Sequence, residues 1–292
     1  MEINIAHKAI NSPFRYAGGK FYARKLILEQ LPVHKNYIEL FAGGGSIFFA
    51  KPKVEFNWLN DIDKDLVNTY KMIQQCPHEM AEILSNEVAT KERHAYYKND
   101  YKPRTSFEKA IRWFYLNRTS YSGIMKKENC YWGYGEAYSM GPKNWGLNIL
   151  RVSKKLSEIN ITSRDFESIL DEIQENKDTF LFIDPPYYKA DQSKFYTHAF
   201  TLEDHQRLHN ALKRNQHKFK FMLTYDNCEE VRELYNWAYE IDEKEWNYMI
   251  NRTDDQTKKT DKKGERYKGK ELFIRNYELE PLLSEFKFAN NF

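Results

Sequence analysis

The sequence predicts an α/β fold: a Rossmann-like, mainly parallel sheet with a largely helical insertion. Three observations carry the prediction. The apolar run Phe180–Ile183 has the length and residue types of a strand buried on both faces, and it stops abruptly at Asp184-Pro185-Pro186-Tyr187. A second apolar run, from Tyr37, passes into the turn Ala42-Gly43-Gly44-Gly45 and then a helix start. A third, Val54–Leu59, leads to Asp61, which stands twenty positions after Phe41. Strand, glycine turn, helix, strand and acid form a nucleotide-binding βαβ pattern, in which the acid serves ribose hydroxyls.

In chain order, Arg15-Tyr16-Ala17-Gly18-Gly19-Lys20 precedes a helical pattern over Phe21–Leu31. Taken alone, its two glycines fit a helix-capping turn as well as a close approach to a ligand. The turn after Leu40 lacks the spaced Gly-x-Gly-x-x-Gly that brings a helix N-terminus to a pyrophosphate. It suits a ligand without phosphate, although binding of nicotinamide dinucleotide and a purely structural turn are also compatible with it. From Ile73 to Trp145 the strand–helix rhythm breaks. Pro77–Tyr97 and Ser106–Leu116 read as helices, and Leu116-Asn117-Arg118-Thr119-Ser120-Tyr121-Ser122-Gly123-Ile124-Met125-Lys126 follows. The pattern then resumes with a helix over Asn148–Ser157, a strand over Ile159–Thr162 and a turn at Arg164-Asp165-Phe166, where Asp165 also fits a helix N-cap. Lys189–Ala199 is polar and reads as a loop able to cover a base with Phe195 or Tyr196. Thr201-Leu202-Glu203-Asp204 is a capping start for the next helix. Phe219–Thr224, Tyr239–Trp246 and Glu271–Tyr277 complete the strands, with the Lys-rich loop Thr257–Lys270 before the last.

Composition narrows the function. The net charge is only +3, but Lys91–Cys130 holds ten Lys/Arg against four Asp/Glu, and Thr257–Lys270 seven against two. Aromatics reach 16%, and where they interleave with basic residues they offer stacking faces beside phosphate partners, which suits nucleic acid. A Lys-rich solvated surface over an aromatic core has the same composition. The three cysteines are far apart and form no Cys-x-x-Cys, which argues against a disulfide framework or a zinc site and fits a reducing cytoplasm. His205 and His209, four apart on a helix, have no third ligand in the pattern, so no metal is expected. Without a signal peptide or an 18-residue apolar stretch, a cytoplasmic protein is expected.

The Asp184 stretch suggests the chemistry. Neither proline can donate to a sheet ladder, and each holds the preceding residue extended, so the chain leaves the sheet stiff with Asp184 at a strand's carboxyl end. Aromatic amines are poor nucleophiles because the lone pair is delocalised into the ring. A carboxylate and the Pro185 carbonyl, each accepting one hydrogen bond from such an amine, draw it toward tetrahedral geometry while Tyr187 offers a stacking face. A turn with a capping Asp is the plainer alternative.

The Asp-Pro-Pro-Tyr stretch, the Tyr16 element, the Phe41 glycine turn and Asp61 occur in the order found in Dam-like (D12 class) DNA adenine-N6 methyltransferases, and the chain resembles that family over nearly its whole length. The resemblance implies a Rossmann-like methyltransferase fold dependent on S-adenosylmethionine (SAM). It implies catalysis by Asp184, Pro185, Pro186 and Tyr187, and cofactor binding by Tyr16, Lys20, Phe41, Gly43, Asp61, Asp165 and Phe166. Arg15, Arg118, Tyr121 and Lys126 are implied to contact DNA, with Arg118, Tyr121 and Lys126 at a DNA-contacting hairpin. Residues 1–72 and 146–292 would form the catalytic domain and 73–145 the target-recognition insertion. Double-stranded DNA is the implied partner, with a cognate restriction endonuclease where the enzyme is one half of a restriction–modification pair. Tyr131-Trp132-Gly133-Tyr134-Gly135 and Ser122 depart from the family's usual residues, so no particular recognition sequence is implied. Cytosine N4 or RNA is an alternative acceptor of the same chemistry, and a binding module that has kept only the SAM fold is the alternative of another class. Cytosine C5 is disfavoured, because the chain lacks the Pro-Cys dipeptide that supplies a thiolate nucleophile.

Overall fold

The computed structural model describes residues 9–16, 18–190, 197–247 and 268–279. Its strands are β1 (Asn36–Glu39), β2 (Phe56–Asn60), β3 (Asn160–Thr162), β4 (Thr179–Ile183), β5 (Lys220–Asp226), β6 (Glu240–Asn247) and β7 (Lys268–Arg275). They form one sheet in the order β3-β2-β1-β4-β5-β7-β6. β1 to β5 run parallel, and β7 pairs antiparallel with both β5 and β6. β4 lies at the centre with every residue buried, as its unbroken apolar run requires. The order of strand addition reverses between β1 and β4, successive strands going outward on either side, and both strands end there in residues that line the site. Open α/β sheets place their ligand crevices at such a switch point.

Helices α1 (Arg24–Leu28), α2 (Ser46–Ala50), α3 (Lys64–Gln75), α4 (Pro77–Ser85), α5 (Lys91–Ala95), α6 (Ser106–Thr119) and α7 (Trp145–Leu156) precede β3. After it come α8 (Phe166–Glu172), α9 (Leu202–Asn215) and α10 (Glu229–Leu234). Each face of the sheet has its own apolar cluster. One joins Phe180, Phe182, Met222 and Phe273 to α1–α4, α6 and α7; the other joins Leu181, Ile183 and Leu223 to α8–α10. Alternate residues of a strand point to opposite faces, and the two memberships follow that alternation along β4 and β5. The helical segment between β2 and β3 shares the first cluster: Leu84, Phe114, Tyr115 and Trp145 are buried together with Phe48 and Leu59. Each such fully buried large side chain contributes about 1.5–3 kcal/mol.

Several boundaries differ from the sequence expectation, each for a local reason. The helix expected over Pro77–Tyr97 is two helices. Glu87 turns inward to accept hydrogen bonds from Arg93 and Tyr97, and Thr90 caps α5 by accepting from Arg93 N–H. The helix over Phe21–Leu31 shortens to α1, closing with tighter turns at Gln30 and Leu31 before Pro32. β2 starts at Phe56 rather than Val54, because the Asn57 side chain closes a turn on the Val54 backbone. The loop expected through Lys270 gives way to β7 at Lys268. The capping start at Thr201 is present, with Thr201 and Asp204 bonded reciprocally.

Candidate active site

β4 delivers Asp184 to the edge of a cavity of about 320 Å³. The Lys20 ammonium donates to both carboxylate oxygens, at 2.6 and 2.8 Å, and the Thr224 hydroxyl donates to Oδ1 at 2.7 Å. Lys20 is 4% exposed, and its Nζ also lies 3.7 Å from Glu271 Oε2 and 4.9 Å from the centre of the Tyr187 ring. Burying an ammonium is costly unless it is paired, and here two carboxylates offset that cost. Lys20, expected beside the cofactor, lines the cavity and is also a partner of Asp184. Beyond the motif, Asp226 accepts from Tyr188 N–H and Lys189 N–H, both at 2.8 Å, which pins the chain as it leaves the prolines.

The turn after β1 forms the opposite wall. Gly43 has φ +47°, and a Cβ there would lie 2.9 Å from the Tyr16 ring, so the position needs glycine on both counts. Gly43 N–H donates to Asp61 Oδ2 at 2.8 Å, and the Tyr70 hydroxyl donates to Gly43 O at 2.9 Å. Asp61 also accepts from Asp63 N–H at 2.9 Å, yet burial pushes its carboxyl up to about 6. Asp63 in turn caps α3 and accepts from the Thr197 hydroxyl at 2.8 Å. The Phe41 ring packs against Phe166 at 5.6 Å and edge-on to Phe200 at 5.5 Å, giving the cavity an aromatic end.

The structure therefore gathers Tyr16, Lys20, Phe41, Gly43, Asp61, Asp184, Pro185, Pro186 and Tyr187 around one cavity. Asp165 and Phe166 do not line it. Asp165 is the N-cap of α8, accepting from Glu167 N–H, and pairs with Arg207 at 2.8 Å; Phe166 supports Phe41 from behind. Four residues that sequence reasoning passed over complete the surroundings. Glu39 is buried at the end of β1 and accepts from the Tyr37 hydroxyl at 2.6 Å and Phe48 N–H at 2.7 Å. Thr224, Asp226 and Glu271 come from β5 and β7. The available signal was an acid or hydroxyl inside an otherwise apolar strand, as in Glu271-Leu272-Phe273-Ile274.

The residues expected to meet DNA lie beside this cavity, around the end of α6. Thr119–Tyr121 and Tyr131–Gly133 pair antiparallel, with Tyr121 N–H bonded to Tyr131 O and Gly133 N–H to Thr119 O. Tyr121, Tyr131 and Tyr138 are exposed, while Arg15 and Lys126 are half-buried. Arg118 is buried, donating weakly to Pro13 O at 3.4 Å. His205, considered for metal binding, is buried against the Tyr225 hydroxyl, while the His209 ring packs on Tyr235 and Trp237. Phe195, Tyr196 and residues 257–267 lie outside the described residues. No helix among the described residues is long and apolar enough to cross a membrane.

The family model for D12 class N6 adenine-specific DNA methyltransferases matches residues 16–250. The chain is 27% identical over 241 residues to a DNA N-6-adenine-methyltransferase of Escherichia phage P1, covering 77% of this chain and 31% of that protein. It is 31% identical over 215 residues to the type II methyltransferase M.MjaIII of Methanocaldococcus jannaschii, covering 63% and 72%. It is 30% identical over 245 residues to the type II methyltransferase M1.LlaDCHI of Lactococcus lactis subsp. cremoris, covering 76% and 84%. The chain thus spans about a third of the length of the phage protein and most of the other two. With a match running from the Tyr16 element past β4 and β5, the chain belongs to the D12 class N6 adenine-specific DNA methyltransferase family.

Proposed function

We propose that this chain transfers a methyl group from SAM to N6 of an adenine turned out of duplex DNA at a specific sequence. The observation that carries the reading is Asp184, held at the carboxyl end of the central strand on the cavity that the β1 turn also lines. Its carboxylate and the Pro185 carbonyl accept from the two N–H groups of the target amine, and Tyr187 stacks on the base. Orienting the lone pair is the main work, so catalysis rests on positioning and preorganised hydrogen bonds.

The cavity suits SAM in size and in donor set. Its volume lies at the lower end of the range for small-molecule sites. The Gly43 turn brings backbone to the cavity wall beneath Tyr16, Asp61 stands at the ribose position, and Phe41 with Phe200 offers an apolar slot for the adenine ring. When bound, SAM supplies a methyl group on a sulfonium, a strong electrophile that needs no further activation. Residues 73–145, with Arg15, Arg118, Tyr121 and Lys126, act as the target-recognition region. The excess of Lys and Arg there and the exposed Tyr121 and Tyr131 support that role. The type II names of two relatives support a cognate restriction endonuclease as partner, and the phage and bacterial relatives support action in the cytoplasm.

Expression in a methylation-free bacterium, followed by modification-sensitive sequencing of its DNA, tests the reading. N6-methyladenine at one recurring sequence with the wild type, and none with Asp184→Ala, is the expected result. N4-methylcytosine, or unmodified DNA with the wild type, would refute it.

A further inference from the structure

We infer that Glu271 is a positioning residue: it is the second seat for the Lys20 ammonium, receiving it when the target amine takes Asp184. The inference rests on the reading of Asp184 as the acceptor of the target amine.

In the structure both Asp184 oxygens are engaged. Lys20 donates to each of them, and Thr224 adds a second hydrogen bond to Oδ1. A carboxylate bonded this fully by an ammonium is a weakened acceptor for a neutral amine. The ammonium also works against the reaction itself, because N6 becomes cationic as the methyl group arrives and a positive charge on the same carboxylate opposes it. Lys20 must therefore yield, but at 4% exposure it has no route to bulk water. A buried cation moved off its partner needs another one.

Glu271 is placed to be that partner. It lies on β7 opposite Asp226 of β5, and Thr224 lies two residues before Asp226 on the same face of the sheet. Its carboxylate is 2% exposed, and Oε2 lies 3.7 Å from Lys20 Nζ. A movement of about 1 Å by the end of a flexible lysine converts that separation into a charge-assisted hydrogen bond and frees the Asp184 oxygens. Thr224 continues to hold Asp184 through the exchange. Two carboxylates sharing one ammonium leave a net negative charge beside the amine, which complements the cation that forms there.

The test uses the full chain, SAM, and an unmethylated duplex carrying the sequence mapped in vivo. Glu271→Gln keeps the size of the side chain and removes its charge. Its single-turnover methylation rate is expected to fall about 100-fold, as for a misplaced reacting group, with calorimetric SAM affinity unchanged. Glu271→Asp should recover most of the rate. In a Lys20→Met background Glu271→Gln should cost nothing more, because Glu271 acts only through Lys20. A wild-type rate in Glu271→Gln, equal rates in the Gln and Asp variants, or an undiminished effect in the Lys20→Met background overturns the inference. Should Glu271→Gln not fold, a crystal structure of the wild type with S-adenosylhomocysteine and the same duplex decides. Lys20 Nζ within hydrogen-bond distance of Glu271 supports the inference, and Lys20 still on Asp184 beside the bound base refutes it. Asp184→Asn separates the two levels. If that variant methylates normally, the parent reading fails; if it is inactive while Glu271→Gln is normal, only the role of Glu271 fails.

Discussion

Asn117 holds Arg15 by both of its backbone polar groups. Arg15 N–H donates to Asn117 Oδ1 at 3.0 Å, and Asn117 Nδ2 donates to Arg15 O at 2.8 Å. The clamp spans 102 residues and joins the helical segment to the stretch in which the next residue, Tyr16, covers Gly43. Gly123 presses on the same peptide so closely that a Cβ there would come within 2.2 Å of Arg15 O. The hairpin after α6 and the wall of the cavity are thus built against one peptide unit.

Asn117→Ala should therefore weaken SAM binding although Asn117 lies outside the cavity. It removes both hydrogen bonds to Arg15 and a third, from Asn117 Nδ2 to Gly123 O, at a cost of about 1–3 kcal/mol in stability, and releases Tyr16. Tyr121→Ala, on the hairpin but outside the clamp, should leave SAM affinity unchanged and lower DNA affinity. Calorimetric SAM titration and thermal melting of both variants check this, and equal SAM affinity in Asn117→Ala and the wild type would count against the clamp.

Asp61 and Asp184 should separate cleanly. Asp61→Ala leaves Gly43 N–H and Asp63 N–H without their acceptor, which destabilises the turn and weakens SAM. Asp184→Ala should keep SAM affinity while its rate falls about 100- to 1000-fold, the usual cost of one preorganised hydrogen bond to the reacting group. Cofactor titration alongside tritiated-methyl incorporation into DNA distinguishes them. Rescue of Asp184→Ala by excess SAM would reverse its assignment.

Much of this architecture was legible because local signals and long-range packing agree. β4 reads as a buried strand from its apolar run alone, and the prolines mark its end. The Gly43 turn and Asp61 could be placed by spacing, since a βαβ unit fixes where an acid at the end of β2 must stand. Glu271, Thr224 and Asp226 could not. Thr224 and Asp226 reach the Asp184 stretch because β5 pairs parallel with β4, and Glu271 because β7 inserts antiparallel beside β5; an acid or hydroxyl in an apolar strand marks such residues but does not say which strand they will lie beside. The inward turn of Glu87, which splits the expected long helix, is set by Arg93 and Tyr97, six and ten residues on, contacts that helical periodicity alone does not register.

Glu39 makes a pH prediction. Its carboxyl is 2% exposed, and burial pushes it up to about 7 from an ordinary 4.5. A folded-state pKa raised above the unfolded value contributes stability that is fully present below the ordinary pKa and is lost as pH rises through about 7. Glu39→Gln is neutral at every pH, so its melting temperature relative to the wild type should rise between about pH 5 and about pH 8. The full span corresponds to about 2–3 kcal/mol. His205, which burial pushes down to about 4, titrates in the same window but cancels in the comparison. A difference in melting temperature that stays flat across this range would show that Glu39 is not held near neutrality.

Arg118 and Lys126 test the proposed DNA contact of the hairpin. Arg118 is 8% exposed, and its Nε has no hydrogen-bond partner among the described residues. Its charge is therefore poorly used within the protein, while its stem packs at the end of α6. Arg118→Met keeps the stem and removes the charge, so it should retain the wild-type melting temperature. The log–log salt dependence of duplex binding should flatten by about 0.9 for each phosphate that the variant no longer neutralises. Arg118→Ala should lose stability as well, because truncating a buried stem leaves a void. Lys126→Ala, at a half-buried site, should flatten the slope without affecting melting, or else relax one base of the recognition sequence by about 1–3 kcal/mol if it reads a base edge. Equilibrium binding at several salt concentrations, combined with sequencing of the methylated sites, resolves these outcomes. An Arg118→Met enzyme with the wild-type slope and sequence choice would make Arg118 a packing residue only.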